Sequence, residues 1–402
     1  MKLLLADKKI LFGVSGSIAV YKAAEWVREL TKAGADVTVV MTDAATRFVS
    51  CLTFATLSGK RVYSGMFEAD AGENVTHISL ARECDLFVIA PATAQTIAKL
   101  ANGFADDLLS CLALASPAKK MIFPAMNSNM YCHAATQNNL SRLKDYGYSI
   151  IEPGEGKLAC GDEGVGRLVE WDLAMDELLT VFAPQDLREQ TVIITAGPTC
   201  EAFDPARHLS NRSSGKMGFA LARVAKQRGA KVLLISGPTS LKNPSGMEII
   251  NVTSGLQMHD TVIQNLENAD IVVMAAAVSD YRPEKLMEHK IKKGSDSINL
   301  EIVANPDILK ELGKRKKNAK QPLLVGFAAE SSDHIEEGKR KLKEKNLDLI
   351  VINDIIGKDT GFGTDTNQVS LIDRDYQLEK LPLLSKEECA YMIWDKIVKL
   401  IQ

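Results

Sequence analysis

The 402-residue sequence lacks an excess of charge of either sign, with 48 Lys and Arg against 51 Asp and Glu and a formal net charge of −3. A chain that coats nucleic acid carries a basic surplus, so no nucleic-acid partner is expected. Long apolar runs are also missing. Ile271–Val278 (IVVMAAAV) extends for eight residues, where a spanning helix needs about 20, so no membrane partner is expected. The opening segment MKLLLADKKILFGVSG has neither the long apolar core nor the cleavage site of a signal peptide. It reads as a first strand, and a cytoplasmic location is expected. Cysteine is sparse: seven residues at 51, 84, 111, 132, 160, 200 and 389, with no C-x-x-C pair. That spacing excludes a disulfide framework and a zinc ribbon. Each thiol is either buried filler or a functional group.

What is present is an ordinary globular composition, 46% hydrophobic and 25% charged, which rules out disorder for the bulk of the chain. The length predicts two domains, or three. One pattern occurs twice. Lys9–Val14 (KILFGV) reads as a strand, Val20–Lys32 as a helix with apolar residues at helical spacing, Gly34 as a stop and Asp36–Met41 (DVTVVM) as a second strand. Later, Thr191–Thr195 (TVIIT), a helix at Gly218–Gln227, Gly229 and Lys231–Ile235 (KVLLI) repeat the βαβ phrase. Each half adds a buried strand opened by Asp, at Asp85–Ala90 and Asp270–Ala275. Continuous apolar strands alternating with helices mean parallel sheets covered on both faces. The expected fold class is therefore α/β, as two doubly wound Rossmann-like domains. The polar, proline-containing Ala183–Glu189 joins them, giving domains 1–189 and 190–402.

Ligands of such sheets sit beyond the carboxyl ends of the strands, so the residues just after each strand are the candidates. Gly13-x-x-Gly16-Ser17 follows the first strand and opens a helix, as a phosphate cradle does, yet its spacing is not G-x-G-x-x-G; a tight turn explains it equally. Pro91-Ala92-Thr93-Ala94-Gln95-Thr96 offers hydroxyls to a ligand edge, or a helix N-cap at Thr93. Asn127, in PAMNSNMY (124–131), follows a short strand at Met121–Phe123 and suits a substrate carboxylate or amide. His77 precedes a buried strand, either as a structural histidine or as an acid, base or carboxylate partner. The loop Gly154–Arg167 has five glycines in fourteen residues, a composition expected to close over a ligand. Its Cys160 is the best candidate for a reactive thiol.

GSIA at 16–19, His77, PATAQT at 91–96, NGFADDLL at 102–109, PAMNSNMY and LACGDEGVGR at 158–167 occur in that order. Together they resemble the flavin-dependent cysteine decarboxylases, specifically the phosphopantothenoylcysteine decarboxylase domain, over essentially the whole first half. Gln95 stands where family members often have Asn. The resemblance implies a flavodoxin-like domain binding FMN at Gly13, Gly16, Ser17, Thr42, Ala92, Thr93, Ala94 and Met126. It implies transfer of a hydride equivalent from the thiol side of the substrate to FMN, giving a thioaldehyde β to the carboxylate, so that CO₂ leaves; the ene-thiolate is then reduced. His77 would be the essential histidine, Asn127 would hold the carboxylate, and Cys160 would donate the final proton.

In the second half, Arg207-His208-Leu209-Ser210-Asn211-Arg212-Ser213-Ser214-Gly215-Lys216-Met217-Gly218 tempts a Walker A reading. No Gly lies five residues before Gly215 and no Ser or Thr follows Lys216, so the P-loop pattern fails. A helix opened by small residues can still take a phosphate. Ala275-Ala276-Ala277 allow close approach of a planar ligand, and Asp280 can bind a metal, a base or a sugar. Asn305-Pro306-Asp307-Ile308 reads as a capped helix start. Lys341 and Lys345 share a helix face, and the basic run Lys310–Lys320 reads as a solvated helix end or loop. ITAGPT, SNRSSGKMG, AAAVSDY, KIKK, NPDI, GFAAE and KNLDLIVIND again form an ordered set. They resemble phosphopantothenate–cysteine ligase of the bacterial, CTP-using type from about 190 to near the end; the tail after about Asp373 adds little beyond a final helix. The resemblance implies a CTP site at Ala275, Asp280, Lys290, Asn305, Pro306, Asp307, Ile308, Phe327, Lys341 and Lys345. Asn211 would act on an acyl-cytidylate whose formation Lys290 assists, and Arg207 would help with a substrate phosphate or carboxylate. A divalent metal, usually Mg²⁺, is implied with no ligands assigned, as is a homo-oligomer with flavin sites at subunit contacts.

The two resemblances describe consecutive steps toward coenzyme A: joining 4'-phosphopantothenate to cysteine, then decarboxylating the product to 4'-phosphopantetheine. Two other readings stand beside them. A nicotinamide-dependent oxidoreductase would need an acid after its second strand, where Asp43 lies, and would not purify yellow. A non-catalytic flavoprotein would bind FMN with His77, Asn127 and Cys160 dispensable.

Overall fold

The computed structural model describes residues 2–66, 76–158, 161–292, 299–316, 322–330, 334–354 and 363–401. Two compact units divide the chain, Met1–Phe182 and Ala183–Gln402, both of the doubly wound α/β class that the alternating pattern predicts.

In the first unit the strands are β1 (Lys9–Val14), β2 (Asp36–Met41), β3 (Leu86–Ala92), β4 (Lys119–Pro124) and β5 (Ser149–Ile150). They form one parallel sheet of order β2-β1-β3-β4-β5. That is the flavodoxin-like order, whose switch point lies between β1 and β3. The helix Val20–Lys32 buries Val20, Ala23, Trp26, Val27 and Leu30 on one stripe, as its apolar spacing requires. Trp26 meets Phe123 edge-on at 5.1 Å between ring centroids. Large side chains buried this fully stabilise by roughly 1.5–3 kcal/mol each. On the opposite face, Phe87, Ile89, Ile97, Leu109 and Leu112 form a second apolar layer.

The NGFADDLL segment turns one helix into the next. Gly103, at φ +70°, ends the helix Ala94–Asn102, and Asp107 opens Leu108–Ala115 with a capping box to Ser110. Lys99 Nζ holds Asp106 and Asp107, each at 2.8 Å. The glycine-rich stretch differs from the loop expected. Its described part is a two-stranded hairpin of β6 (Gly154–Lys157) and β7 (Glu163–Arg167). A short helix, Lys2–Leu5, precedes the first strand.

The second unit continues with β8 (Thr191–Ala196), β9 (Cys200–Asp204), β10 (Arg207–Ser210), β11 (Lys231–Ser236), β12 (Glu248–Asn251), β13 (Ile271–Met274), β14 (Tyr281–Pro283), β15 (Ile302–Ala304), β16 (Leu323–Glu330), β17 (Leu349–Asp354), β18 (Thr366–Asn367), β19 (Val369–Asp373) and β20 (Leu378–Lys380). The main sheet runs β12-β11-β8-β13-β16-β17-β19-β20. It is parallel through β17, then ends in two antiparallel strands that the sequence pattern does not announce. Its switch point lies between β8 and β13. The final helix, Lys386–Ile401, packs on the helix Lys216–Gln227, with Trp394 Nε1 donating to the Leu221 carbonyl at 2.9 Å. Lys316, expected on a solvated basic run, is buried instead and ion-pairs with Asp348. Among the described residues no helix is long and apolar enough to cross a membrane.

Candidate functional sites

In the first unit the loops after β1 and β3 are tied together at the switch point. Ser15 Oγ donates to the Pro91 carbonyl at 2.7 Å and accepts from the Thr93 amide at 3.0 Å. Thr42 and Thr93 cap the helices that follow β2 and β3, accepting from the amides of Ala45 and Thr96. Gly16 is required by close packing, since a Cβ there would stand 2.5 Å from Ala44 Cβ. The helix Val20–Lys32 begins without any side-chain cap. Ser17 sits at its start, its Oγ accepting from the Ala19 amide at 3.3 Å and its carbonyl from the Val20 amide, and the positive dipole end of the helix faces the end of β1, a place where a phosphate is favoured.

The loop after β4 carries Asn127. Asn127 caps the short helix Ser128–Cys132, its Oδ1 accepting from the Asn129 amide at 2.8 Å, while Nδ2 donates to Asp162 Oδ2 at 3.1 Å. The β6–β7 hairpin lies flat on this loop. The Met126 amide donates to the Gly166 carbonyl at 2.9 Å, and Ser128 Oγ to the Val165 carbonyl at 2.5 Å. A Cβ on Gly166, at φ +140°, would fall 2.2 Å from the Met126 carbonyl oxygen. Glycine in the hairpin thus permits contact with the Asn127 loop.

In the second unit a cleft of about 510 Å³ opens over the carboxyl ends of β13, β16 and β17. Its floor is the switch point, where Ala277 exchanges backbone hydrogen bonds with Gly197 and Thr199. One wall is the start of the helix Lys216–Gln227, again without a side-chain cap. Asn211 reaches across, donating from Nδ2 to the Ala277 carbonyl at 3.0 Å. Asn305 Nδ2 donates to the Ser279 carbonyl at 2.8 Å, and its amide donates to the Asp280 carbonyl at 2.7 Å. Asp307 opens the helix Ile308–Lys316 and pairs with Lys345 Nζ at 2.9 Å. Lys216, Lys341, Lys345 and Lys386 give the lining its positive charge. Among the described residues no cluster of three or more His, Cys, Asp or Glu side chains is arranged to hold a metal ion.

Two family models match the sequence along these two units. The family described as Flavoprotein matches residues 2–182, and DNA/pantothenate metabolism flavoprotein C-terminal domain matches residues 187–401. The coenzyme A biosynthesis bifunctional protein CoaBC of Bacillus subtilis (strain 168) is 46% identical over 406 residues, covering 99% of this chain and 98% of the relative. The chain belongs to the CoaBC family. The CoaBC protein of Escherichia coli (strain K12) is 42% identical, over 98% of this chain and 97% of its own length. A crystal structure of the C-terminal domain of CoaBC covers 54% of this chain and 98% of its own, at 40% identity and a TM-score of 0.46.

In this CoaBC-family chain, Ala275, Asp280, Asn305, Pro306, Asp307, Ile308, Phe327, Lys341 and Lys345 all line the one cleft, together with Asn211. Lys290 does not. It is exposed, next to Ile291, whose amide donates to Asp204 Oδ2 and whose carbonyl accepts from Arg207. Arg207 is held by Asp204 at 2.6 and 2.9 Å. These hydrogen bonds from Arg207 pull the Asp204 carboxyl down to about 2. Arg207 is thus engaged in fixing the irregular segment that carries Lys290.

In the first unit Ser17, Thr42, Thr93, Ala94 and Met126 follow strand ends and Ala92 is the last residue of β3, whereas Gly13 lies within β1, filled over by Leu109 and Phe87. His77 sits in the first turn of the helix Thr76–Glu83, with its side chain outside the described residues, as is all of Cys160. Sequence reasoning missed Asn353, Asn367 and Lys386 in the cleft lining. KNLDLIVIND contains Asn353, but nothing local marks the other two.

Proposed function

We propose that this chain performs two consecutive steps of coenzyme A biosynthesis, with FMN in the first unit and CTP in the second. The observation that carries the reading is the single cleft that gathers Asn211 with every CTP-site candidate except Lys290, in a chain similar end to end to CoaBC proteins.

In the second unit the 4'-phosphopantothenate carboxylate attacks the α-phosphorus of CTP, pyrophosphate leaves, and the amine of cysteine then displaces CMP. The alanines after β13 let a planar base lie close to the sheet edge, and Phe327 offers an aromatic face. Lys341 and Lys345 offset the nucleotide's negative charge. Asn211, fixed by the Ala277 carbonyl, presents its amide to the reacting acyl group. Mg²⁺ would arrive largely held by phosphate oxygens, as its reluctance to shed water favours, with Asp280 as the nearby carboxylate. Lys290 would have to swing in from its exposed position.

In the first unit the uncapped helix start and the surrounding hydroxyls of Ser17, Thr42 and Thr93 fit the phosphate of FMN. When bound, FMN supplies the two-electron redox chemistry. Asn127 orients the substrate carboxylate through Nδ2, an amide nitrogen with two N–H donors, one of them given to Asp162. His77 stands near the departing CO₂, and Cys160 donates the proton to the product. General-acid help of this kind is typically about 10²–10⁴-fold.

The deciding experiment incubates purified protein with 4'-phosphopantothenate, cysteine, Mg²⁺ and each nucleotide in turn, following pyrophosphate and CO₂. Both products should form, with CTP preferred. A colourless protein that releases neither would overturn the assignment.

A further inference from the structure

One end of the second unit's cleft is left unused by the nucleotide assignment above. There two lysines converge on the start of the helix Lys216–Gln227. Lys216 is that helix's first residue, and Lys386 is the first residue of the final helix, only 8% exposed. Lys216 Nζ donates to Asp365 Oδ1 at 2.6 Å and to the Gly363 carbonyl at 3.2 Å. Lys386 Nζ donates to the Thr364 carbonyl. Among the described residues Asp365, itself 88% exposed to solvent, is the carboxylate paired with Lys216, and Lys386 feels it only through its charge.

The cost of this arrangement is visible in Lys386. Burial, and then repulsion from Lys216, pushes its ammonium below the ordinary lysine value. An anion placed near both would favour the charged form and offset these effects.

A second observation points to a ligand at the same place. Asn367 is 2% exposed and lines the cleft, yet its side-chain carbonyl oxygen has no partner among the described residues. Its amide nitrogen meets the Met217 thioether, at 3.5 Å, and a thioether is a weak acceptor. A half-turn of the amide exchanges the two ends and turns N–H donors to where the unpaired oxygen stands. Asn353 Oδ1, at the end of β17, is likewise unpartnered and lines the cleft. Buried amides without partners are costly, and a bound polar group removes that cost.

We propose that Lys216, Lys386 and Asn367 form a phosphate subsite that takes the terminal phosphates of the nucleotide and the pyrophosphate they become. This rests on the nucleotide reading above. As the carboxylate oxygen bonds to the α-phosphorus, the bond from that phosphorus to the bridging oxygen breaks. The electron pair stays on pyrophosphate, and no proton moves. The two ammonium groups stabilise that negative charge where it grows. A phosphomonoester, as on the acid substrate, shares the same chemistry and is the other source to be separated.

The test is titration calorimetry on the full chain with Mg²⁺, using inorganic pyrophosphate, CTP, CMP and 4'-phosphopantothenate separately. Lys386→Met should weaken pyrophosphate and CTP by about tenfold or more, as loss of a charge-assisted contact implies, and leave CMP unchanged. Lys386→Arg should restore most of the affinity, and Asn367→Ala should weaken pyrophosphate less than Lys386→Met. A cooperative melting transition establishes that each variant is folded. Loss confined to 4'-phosphopantothenate supports the phosphate subsite and assigns it to the phosphomonoester. Loss of pyrophosphate binding in Lys386→Met, from a wild type that binds neither CTP nor CMP, supports the subsite and removes the nucleotide reading. A folded Lys386→Met protein that binds pyrophosphate and 4'-phosphopantothenate as the wild type does would overturn the proposal. So would a wild type that binds neither.

Discussion

Asn127 donates its side-chain amide to Asp162 at 3.1 Å, joining the loop after β4 to the tip of the glycine-rich hairpin. The donor assigned to the substrate carboxylate is thus already holding a carboxylate of the protein. Under the role proposed for Asn127, a substrate carboxylate would compete with Asp162 for this amide, while Met126 and Ser128 keep the hairpin tied to the loop. Asn127→Asp would set a carboxylate against both. Like charges placed together cost several kcal/mol, so CO₂ release should fall by at least about 100-fold, roughly 2.7 kcal/mol, with CTP-dependent pyrophosphate release unchanged. Comparable loss of both products would refute the role given to Asn127.

Gly166→Ala tests the hairpin without touching a polar group. Its φ is +140°, and the added Cβ would meet the Met126 carbonyl oxygen at 2.2 Å, a backbone atom that cannot rotate away. Strain and overpacking of this kind cost about 1–3 kcal/mol each. The hairpin should lift from the Asn127 loop, with KM for the decarboxylation substrate rising and Tm falling. Unchanged KM would mean that hairpin contact is irrelevant to binding.

Asp107→Ala removes the cap of the helix Leu108–Ala115, a loss of about 1 kcal/mol at neutral pH. Burial works against charge at Asp107, but hydrogen bonds from Lys99 and Ser110 outweigh it and hold the carboxyl below its ordinary value of 3.8. A lowered folded-state pKa gives stability that is present above the ordinary value and lost as pH falls through the folded one. Chemical denaturation of wild type and variant should therefore differ most near pH 7 and converge below about pH 4. A gap that widens in acid would contradict this.

Asn211→Asp replaces the amide that spans from the β10 end to the Ala277 carbonyl with a group that cannot donate there. Ligation should drop by about 10²-fold or more, as for a lost donor to a developing charge, while decarboxylation of supplied phosphopantothenoylcysteine continues. Equal loss of both would indicate unfolding.

Two further variants address the proton steps of the first unit. His77→Asn should abolish CO₂ release and spare ligation. Cys160→Ala should permit CO₂ release but block the final reduction, so that mass spectrometry finds the oxidised ene-thiol. Ordinary 4'-phosphopantetheine from the Cys160 variant would remove that thiol from the mechanism.

Much of this molecule could be read in advance because its signals are local. A buried parallel strand writes a run such as DVTVVM, and the helix Val20–Lys32 repeats apolar residues on one stripe. The residues after each strand end lie at the crevice, which makes Thr93, Asn127 and Asp280 identifiable, whereas Asn211 is marked only by the resemblance to the ligase. Lys386 was not, because it reaches the cleft only through packing of the last helix on Lys216–Gln227, a contact far apart in sequence. Lys316 misled for the same reason: its run is basic, but Asp348 draws this one lysine inward. Glycine content suggested a loop at 154–167, whereas those glycines let a hairpin lie against its neighbour.

Because Lys386 walls the cleft from the opening of the final helix, synthesis of the chain must pass that residue before the ligation chamber can close. The flavin unit meets no such delay and can reach its native form while the other half is still being translated, as leading domains generally do. Maturation of the two activities is thereby staggered, in the order opposite to the one in which their substrates flow.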